Sequence, residues 1–145
     1  MVVMRKIAFV CVGNAGRSQL ATGLAERERE HRGVDVEIVT GGLEPGEQVY
    51  DEVRTALYEV DVDIGDRHPR RIEPGDLADA DYVVTIGCSV DEVLPPAFDG
   101  EIRTWSIDAT GAGLPAVRSQ RDTLAEHVGA LFDELEASSD SESPR

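Results

Sequence analysis

The residues best equipped for chemistry stand together near the start of the chain, in Cys11-Val12-Gly13-Asn14-Ala15-Gly16-Arg17-Ser18. A thiol followed after five residues by a guanidinium and then a hydroxyl suits the capture of an oxyanion. The small residues Gly13, Ala15 and Gly16 free backbone N–H groups to turn inward around a tetrahedral anion, and a helix starting at the end of the loop adds its positive end. Val12 supplies a further loop amide. Arg17 brings a planar fork that grips two oxygens and stays charged. Ser18 is placed to hydrogen-bond the sulfur, and Asn14 to pin the loop through its amide. The same groups favour a thiolate at Cys11, which is the attacking form. The competing interpretation is a small apolar cysteine at the end of a buried strand, with an arginine nearby by accident. The joint occurrence of strand, small-residue loop, Arg-Ser and amphipathic helix argues for the oxyanion site.

Such a loop works only if its flanking elements hold it. Lys6 to Val12 is continuously apolar, as a strand buried on both faces of a parallel sheet would be. From Ser18 the spacing of Leu20, Ala21, Leu24 and Ala25 predicts a helix, closed by Gly33. Val34 to Thr40 alternates as an edge strand, and Gly41-Gly42 with Pro45-Gly46 mark a loop. A second helix is expected over Gln48 to Val60, with Val49, Val53, Ala56, Leu57 and Val60 inward. Asp61 to Pro74 reads as irregular, and Pro74 to Ala80 as a short helix. Asp81 to Ile86 is a buried strand ending at Gly87-Cys88, and Ile102 to Trp105 a short fourth strand. A last helix begins near Pro115, with Leu124, Val128, Leu131, Phe132 and Leu135 as its stripe. Residues 1–137 read as one catalytic domain, and 138–145 as a disordered acidic tail.

Strands alternating with helices predict an α/β domain: a three-layer sandwich with a four-stranded parallel sheet in order 2-1-3-4 and helices on both faces. In such sheets ligands sit beyond the carboxyl ends of the strands, where the order reverses. The loops after Val10 and Ile86 fall side by side there, and with them both cysteines of the chain, Cys11 and Cys88.

Cys-Val-Gly-Asn-Ala-Gly-Arg-Ser-Gln-Leu-Ala resembles the active-site loop of low-molecular-weight protein tyrosine phosphatases and the related thiol-dependent arsenate reductases, more closely the reductases. Thr40-Gly41-Gly42-Leu43, Arg67-His68-Pro69-Arg70-Arg71-Ile72, Asp81 to Cys88 and the Trp105 segment follow in family order. The resemblance implies a flavodoxin-like fold, with Cys11 as nucleophile and Arg17 and the loop amides as the oxyanion site.

Phosphate and arsenate share shape and charge, so the second step separates the two activities. A phosphatase needs water and an acid for the leaving alcohol; a reductase needs a second thiol that attacks sulfur and leaves a disulfide. Thr85-Ile86-Gly87-Cys88 resembles the stretch that carries the resolving thiol of arsenate reductases, which makes Cys88 the expected resolving residue. A buried structural thiol is the alternative. Thioredoxin-coupled relatives carry a third cysteine shortly afterwards, whereas Asp91-Glu92-Val93-Leu94-Pro95 has none. The expected reductant is therefore an external thiol or a thioredoxin-like protein, with no bound cofactor. Family members place an Asp-Pro pair before the last helix; the nearest match here is Asp108-Ala109, so Asp108 is the candidate acid for a phosphatase, or a solvated loop aspartate. The glutamate and aspartate through which some reductases bind potassium correspond to Thr22 and Arg70, so that site is not expected. A redox-sensing oxyanion-binding module, in which Cys11 and Cys88 only switch, is a third reading.

Composition bounds these readings. The 145 residues suit one domain with a core of aliphatic side chains, since aromatics are 5% of the chain. With 29 acidic against 14 basic residues and Lys6 as the only lysine, the net charge is -15. Nucleic acid and anionic membranes are repelled by such a surface, which fits a halophilic protein in concentrated salt, where self-repulsion is screened. Two cysteines are too few for a disulfide scaffold and no apolar stretch spans a membrane, so the expectation is a cytoplasmic protein. His68 among Arg67, Arg70 and Arg71 forms a basic patch expected to pair with neighbouring acids. His31 and His127 have no partner at metal-ligand spacing, and no metal site is expected. Trp105 reads as core or loop anchor.

Overall fold

The computed structural model describes residues 5–107 and 113–142, with side chains of the last helix through 137. Its elements are β1 (Arg5–Cys11), α1 (Arg17–Arg32), β2 (Val36–Gly42), α2 (Asp51–Tyr58), α3 (Pro74–Leu77), β3 (Tyr82–Ile86), β4 (Glu101–Trp105) and α4 (Gly113–Glu142). The four strands are parallel in the order β2-β1-β3-β4, and the sheet reverses direction of winding between β1 and β3. β1 is central because its side chains are apolar on both faces, and Ile7 through Val10 are fully buried.

The two-residue period of β1 divides the core. Ile7, Phe9 and Cys11 turn toward α1, α2 and α4, packing with Leu20, Leu24, Leu57, Leu124, Val128 and Phe132. Ala8 and Val10 turn to the opposite face, where Ile72, Leu77, Ala80, Val83 and Val90 cover them. The second face is thus closed by the single turn of α3 and by irregular chain rather than by a long helix. Each large apolar side chain so buried contributes about 1.5–3 kcal/mol against its exposure.

α1 ends at Gly33, whose φ of 64° only glycine adopts without strain, and Arg29, His31 and Arg32 lie at the negative end of its dipole. α4 is clasped to its neighbours by arginines: Arg32 Nη1 to Asp133 at 2.8 Å, and Arg118 and Arg121 to Glu59 at 2.5 and 2.9 Å.

Several boundaries differ from the sequence reading: β2 runs from Val36 through Gly42, so Gly41 and Gly42 end the strand instead of opening the loop, and α2 and α3 stop at Tyr58 and Leu77. α2 starts at Asp51 instead of Gln48 because the preceding amides bond to the loop after β1, Tyr50 N donating to Ala15 O at 3.1 Å, rather than opening a helix. α4 runs through Glu142, so its backbone continues past the expected end at 137; residues 143–145 lie outside the described residues. No helix among the described residues is long and apolar enough to cross a membrane.

Candidate active site

The chain leaves β1 at Cys11 and enters α1 at Arg17, and the carbonyls of the loop between them are tied down from outside. Leu43 N donates to Cys11 O (3.2 Å), Glu44 N to Val12 O (2.8 Å), Gly46 N to Gly13 O (3.0 Å), Tyr50 N to Ala15 O (3.1 Å) and Leu20 N to Gly16 O (3.0 Å). Gln19 Nε2 takes the remaining one, Asn14 O, at 3.0 Å. In a planar trans peptide the N–H opposes the C=O. The amides of Val12, Gly13, Asn14, Ala15, Gly16 and Arg17 therefore turn away from these donors, toward the concave side. Asn14 N does so visibly, donating to Cys11 Sγ at 3.2 Å. α1 has no side-chain cap and no acidic residue in its first turn, so its terminal amides are left for an anion.

Behind the loop lies a buried polar network. Asn14, with φ of 52°, is fully buried, as are Ser18 and Gln19. Asn14 Nδ2 donates to Ser18 Oγ (2.8 Å) and Thr40 Oγ1 (2.9 Å), while Asn14 Oδ1 accepts from Gln19 Nε2 (3.1 Å) and Arg70 N (3.0 Å). Thr40 Oγ1 donates to Phe9 O at 3.0 Å. Ser18 Oγ stands 2.8 Å from Cys11 Sγ. A left-handed asparagine costs backbone energy, and these bonds hold it there.

Gly42, at the end of β2, admits the loop: a Cβ there would stand 2.6 Å from Val12 O and 2.9 Å from Asn14 N. Gly87 does the same for Arg17. Its φ is +73°, and a Cβ would lie 2.8 Å from Arg17 Nη1 and 3.0 Å from Nη2. The guanidinium therefore rests on the bare backbone after β3. Among the described residues it has no hydrogen-bond or ion-pair partner, which leaves its fork for an anion.

Cys88 follows Gly87. Its Sγ donates to Val10 O at 3.5 Å, which puts it at most about 6 Å from the Cα of Cys11 across one planar peptide. It packs against the cluster of Ala8, Val10 and Val90, whereas Cys11 belongs to the other one. The two sulfurs thus flank the carboxyl edge of the sheet from opposite faces. Burial, and then the negative charge of Cys11, push the Cys88 thiol above its ordinary range; a hydrogen bond from the Ile86 backbone and the charge of Arg17 oppose them. Both cysteines are free. Arg17, Gly87, Cys88, Thr104, Trp105, Ser106 and Ile107 line an open cleft of about 510 Å³.

The sequence reading placed Cys11, Asn14, Arg17, Ser18 and Cys88 together, and the structure brings them together. It missed Gln19, Thr40, Gly42 and Arg70, which act on the loop from elsewhere in the chain. The basic patch was expected to pair with neighbouring acids, and Arg67 pairs with Glu26 at 2.9 Å and Arg70 with Asp76 at 3.1 Å. Two of its arginines also reach the backbone around the loop, Arg70 Nη1 donating to Thr40 O at 2.6 Å and Arg71 Nη1 to Leu43 O at 2.8 Å. Thr22, at one of the positions considered for potassium, donates to Ser18 O at 2.6 Å. Trp105 is buried against Phe9, with ring centroids 5.9 Å apart, and stacks on His127 at 5.1 Å. Asp108 lies outside the described residues. No group of His, Cys, Asp and Glu among the described residues has the make-up of a metal site.

A thiol in a loop whose amides turn inward, followed by an arginine with a free fork, at the carboxyl edge of a parallel sheet, has the make-up of an oxyanion site. Residues 6–104 match the family described as low molecular weight phosphotyrosine protein phosphatase, and the chain belongs to it. A putative arsenate reductase of Halobacterium salinarum is 42% identical over 133 residues, covering 90% of this chain and 92% of that protein. The glutaredoxin arsenate reductase of a Synechocystis strain is 30% identical, covering 89% of this chain and 97% of its own length. Among solved structures, an arsenate reductase in the phosphate binding state superposes with a TM-score of 0.75 at 30% identity, over 90% of this chain and 98% of that one. The thioredoxin-dependent arsenate reductase of Corynebacterium glutamicum gives 0.77 at 26% identity; the match covers 93% of this chain but only 63% of the longer one. An arginine phosphatase from Geobacillus stearothermophilus, 20% identical with a TM-score of 0.81, shares the fold.

Proposed function

We propose that the chain is an arsenate reductase in which Cys11 attacks arsenate and Cys88 resolves the adduct. The carrying observation is the Cys88 thiol poised beside the end of β1, 3.5 Å from Val10 O. The Cys11 thiolate attacks arsenic, and one arsenate hydroxyl takes a proton from solvent and leaves as water, forming a sulfur–arsenic bond while Arg17 and the amides of Val12 to Arg17 hold the remaining oxygens. Cys88, losing its proton, attacks Cys11 Sγ. The sulfur–arsenic bond breaks with its electron pair going to arsenic, which leaves as arsenite, and a Cys11–Cys88 disulfide remains. Two thiols are oxidised and arsenic is reduced by two electrons, so each turnover consumes an external reductant. Phosphorus in the same seat does not accept that pair, which makes phosphate an inhibitor. The relatives named as thioredoxin-dependent and glutaredoxin reductases support a thiol reductant. The acidic composition, together with the Halobacterium relative, supports action in a salt-rich cytoplasm.

A second reading has one observation in its favour. Tyr50, largely exposed, packs its ring against Gly16 and lines an open cavity with Gly13 and Ala15, a wall suited to an aryl phosphate. In that reading water replaces Cys88 and Asp108 is the acid.

The two are separated by assaying the wild type and Cys88→Ser with arsenate plus a thiol, and with an aryl phosphate. Arsenite release that falls at least about tenfold in Cys88→Ser supports the reductase. Release unchanged by that substitution overturns the resolving role. Aryl phosphate hydrolysis lost in Asp108→Ala, without arsenate reduction, establishes the phosphatase instead.

A further inference from the structure

The disulfide left by the reductase reading must be reopened, and the cleft beside Cys88 indicates from where and by what. We propose that it is a binding site for a small thiol carrying a carboxylate, which attacks Cys88 and expels Cys11. This inference rests on the reductase reading, and names the reductant that reading leaves open.

Three observations carry it. First, the cleft of about 510 Å³ is of small-molecule size and opens onto Cys88, which is half-buried, whereas Cys11 is 4% exposed and does not line it. An incoming thiolate therefore meets Cys88 first. Second, the leaving group in thiol exchange departs faster when its thiolate is stabilised. Cys11 Sγ has Ser18 Oγ at 2.8 Å and Asn14 N at 3.2 Å to receive the negative charge; Cys88 faces a carbonyl oxygen at 3.5 Å. Third, Arg17 is the one charged side chain among the described residues lining the cleft, in a chain whose net charge is -15. Once arsenite has left, its fork is free for a carboxylate. Trp105 and Ile107 give the carbon skeleton an apolar wall.

The step balances. The external thiolate bonds to Cys88 Sγ, the Cys88–Cys11 bond breaks, and Cys11 leaves as thiolate. A second molecule of the same thiol attacks the sulfur of the first, Cys88 leaves and takes up a proton, and the small disulfide departs. Two external thiols are oxidised as the protein disulfide is reduced.

The test uses the full chain oxidised with diamide, so that it runs whether or not arsenate forms the disulfide. Reduction is followed with 3-mercaptopropionate, 2-mercaptoethanol and cysteamine, compared per thiolate, at low salt and at about 1 M KCl, where the Debye length is about 3 Å. The overall charge favours cationic cysteamine; the cleft favours the carboxylate. In about 1 M salt 3-mercaptopropionate is expected to react about tenfold faster than cysteamine, and peptide mapping of a quenched reaction to find the adduct on Cys88. Ser106→Asp, which puts a negative charge in the cleft outside the loop, is expected to abolish that preference. Cysteamine fastest at both salt concentrations, an adduct on Cys11, or no disulfide with diamide overturns the proposal. So does reduction by thioredoxin at low concentration that outpaces every small thiol in excess. Arsenate-dependent loss of two thiols, measured separately, reports on the reductase reading alone.

Discussion

The backbone N–H of Arg70 donates to Asn14 Oδ1 at 3.0 Å, and that contact fixes the polarity of the network behind Cys11. A backbone N–H only donates, so the amide oxygen of Asn14 must face it. The Nδ2 group then faces Thr40 and Ser18, and Ser18 Oγ accepts from it at 2.8 Å. The serine proton is left for the sulfur 2.8 Å away, where a thiolate is its natural acceptor. A residue far along the chain thereby leaves the Ser18 hydroxyl able to donate to Cys11 Sγ.

Ser18→Ala removes that donor from the sulfur. In a Cys88→Ser background, alkylation of Cys11 by iodoacetamide at neutral pH is expected to slow about tenfold, as losing a charge-assisted hydrogen bond of ~1.4 kcal/mol requires. Ser18→Thr is expected to restore part of the rate. An unchanged rate in Ser18→Ala would remove the serine from the chemistry.

The more buried cysteine is expected to react first. Burial and the charge at Cys11 hold the Cys88 thiol above its ordinary range, so its thiolate becomes appreciable only above the pH at which a free cysteine ionises. With limiting iodoacetamide near neutral pH, mass spectrometry should find the label on Cys11. In Cys11→Ser, where the charge is gone, Cys88 should label faster than in the wild type.

Gly87→Ala strains a backbone at φ +73° and puts a methyl 2.8 Å from Arg17 Nη1. The strain costs about 1 kcal/mol, or roughly 2–4 °C in Tm for a chain of this size. Displacement of the guanidinium is expected to raise the KM for arsenate about tenfold. A variant with lowered Tm and unaltered KM would show that Arg17 does not depend on this seat.

Glu59 reports on the clasp between α2 and α4. Hydrogen bonds from Arg118, then Arg121, hold its carboxyl at about 2 against an ordinary 4.5, although it lies at the surface. A depressed carboxyl stabilises the fold above its unfolded value and loses that contribution as pH falls toward the folded one. Glu59→Gln should thus be less stable than wild type at neutral pH in urea titrations, and the difference should shrink between about pH 4.5 and 2. Because the pair is exposed, concentrated salt should shrink it too. A difference that grows on acidification would contradict the assignment.

Trp105 is the only tryptophan and lines the cleft with Cys88. Movement of Cys88 to Cys11 should change its emission, with a rate equal to that of arsenite release in a single turnover. The change should be absent in Cys88→Ser.

The strand, loop and helix around Cys11 were legible because each announces itself locally: an apolar run, small residues, an Arg-Ser pair and a helical stripe. Cys88 was legible through topology, since the order 2-1-3-4 makes the ends of β1 and β3 neighbours. Gln19, Thr40 and Arg70 were not, because they act through individual hydrogen bonds to the loop and its supports, and no periodicity or spacing records such a bond. Gly41-Gly42 carried a signal that was read as a loop; its meaning is close approach, to Ile72 at one glycine and to the Cys11 loop at the other. The shortened α2 has the same origin: the amide of Tyr50 was counted for the helix and instead holds Ala15 O of the anion loop, beside those of Glu44 and Gly46.

Those outward bonds have a thermodynamic consequence. A cradle whose carbonyls are already engaged does not refold around its guest, so the ordering entropy is incurred when the protein folds. What an arriving anion exchanges is water for fixed dipoles, and oxyanions of one shape are then ranked by how much hydration each surrenders. Calorimetry should find a small heat-capacity change on phosphate binding, set by the desolvated surface of the cradle alone.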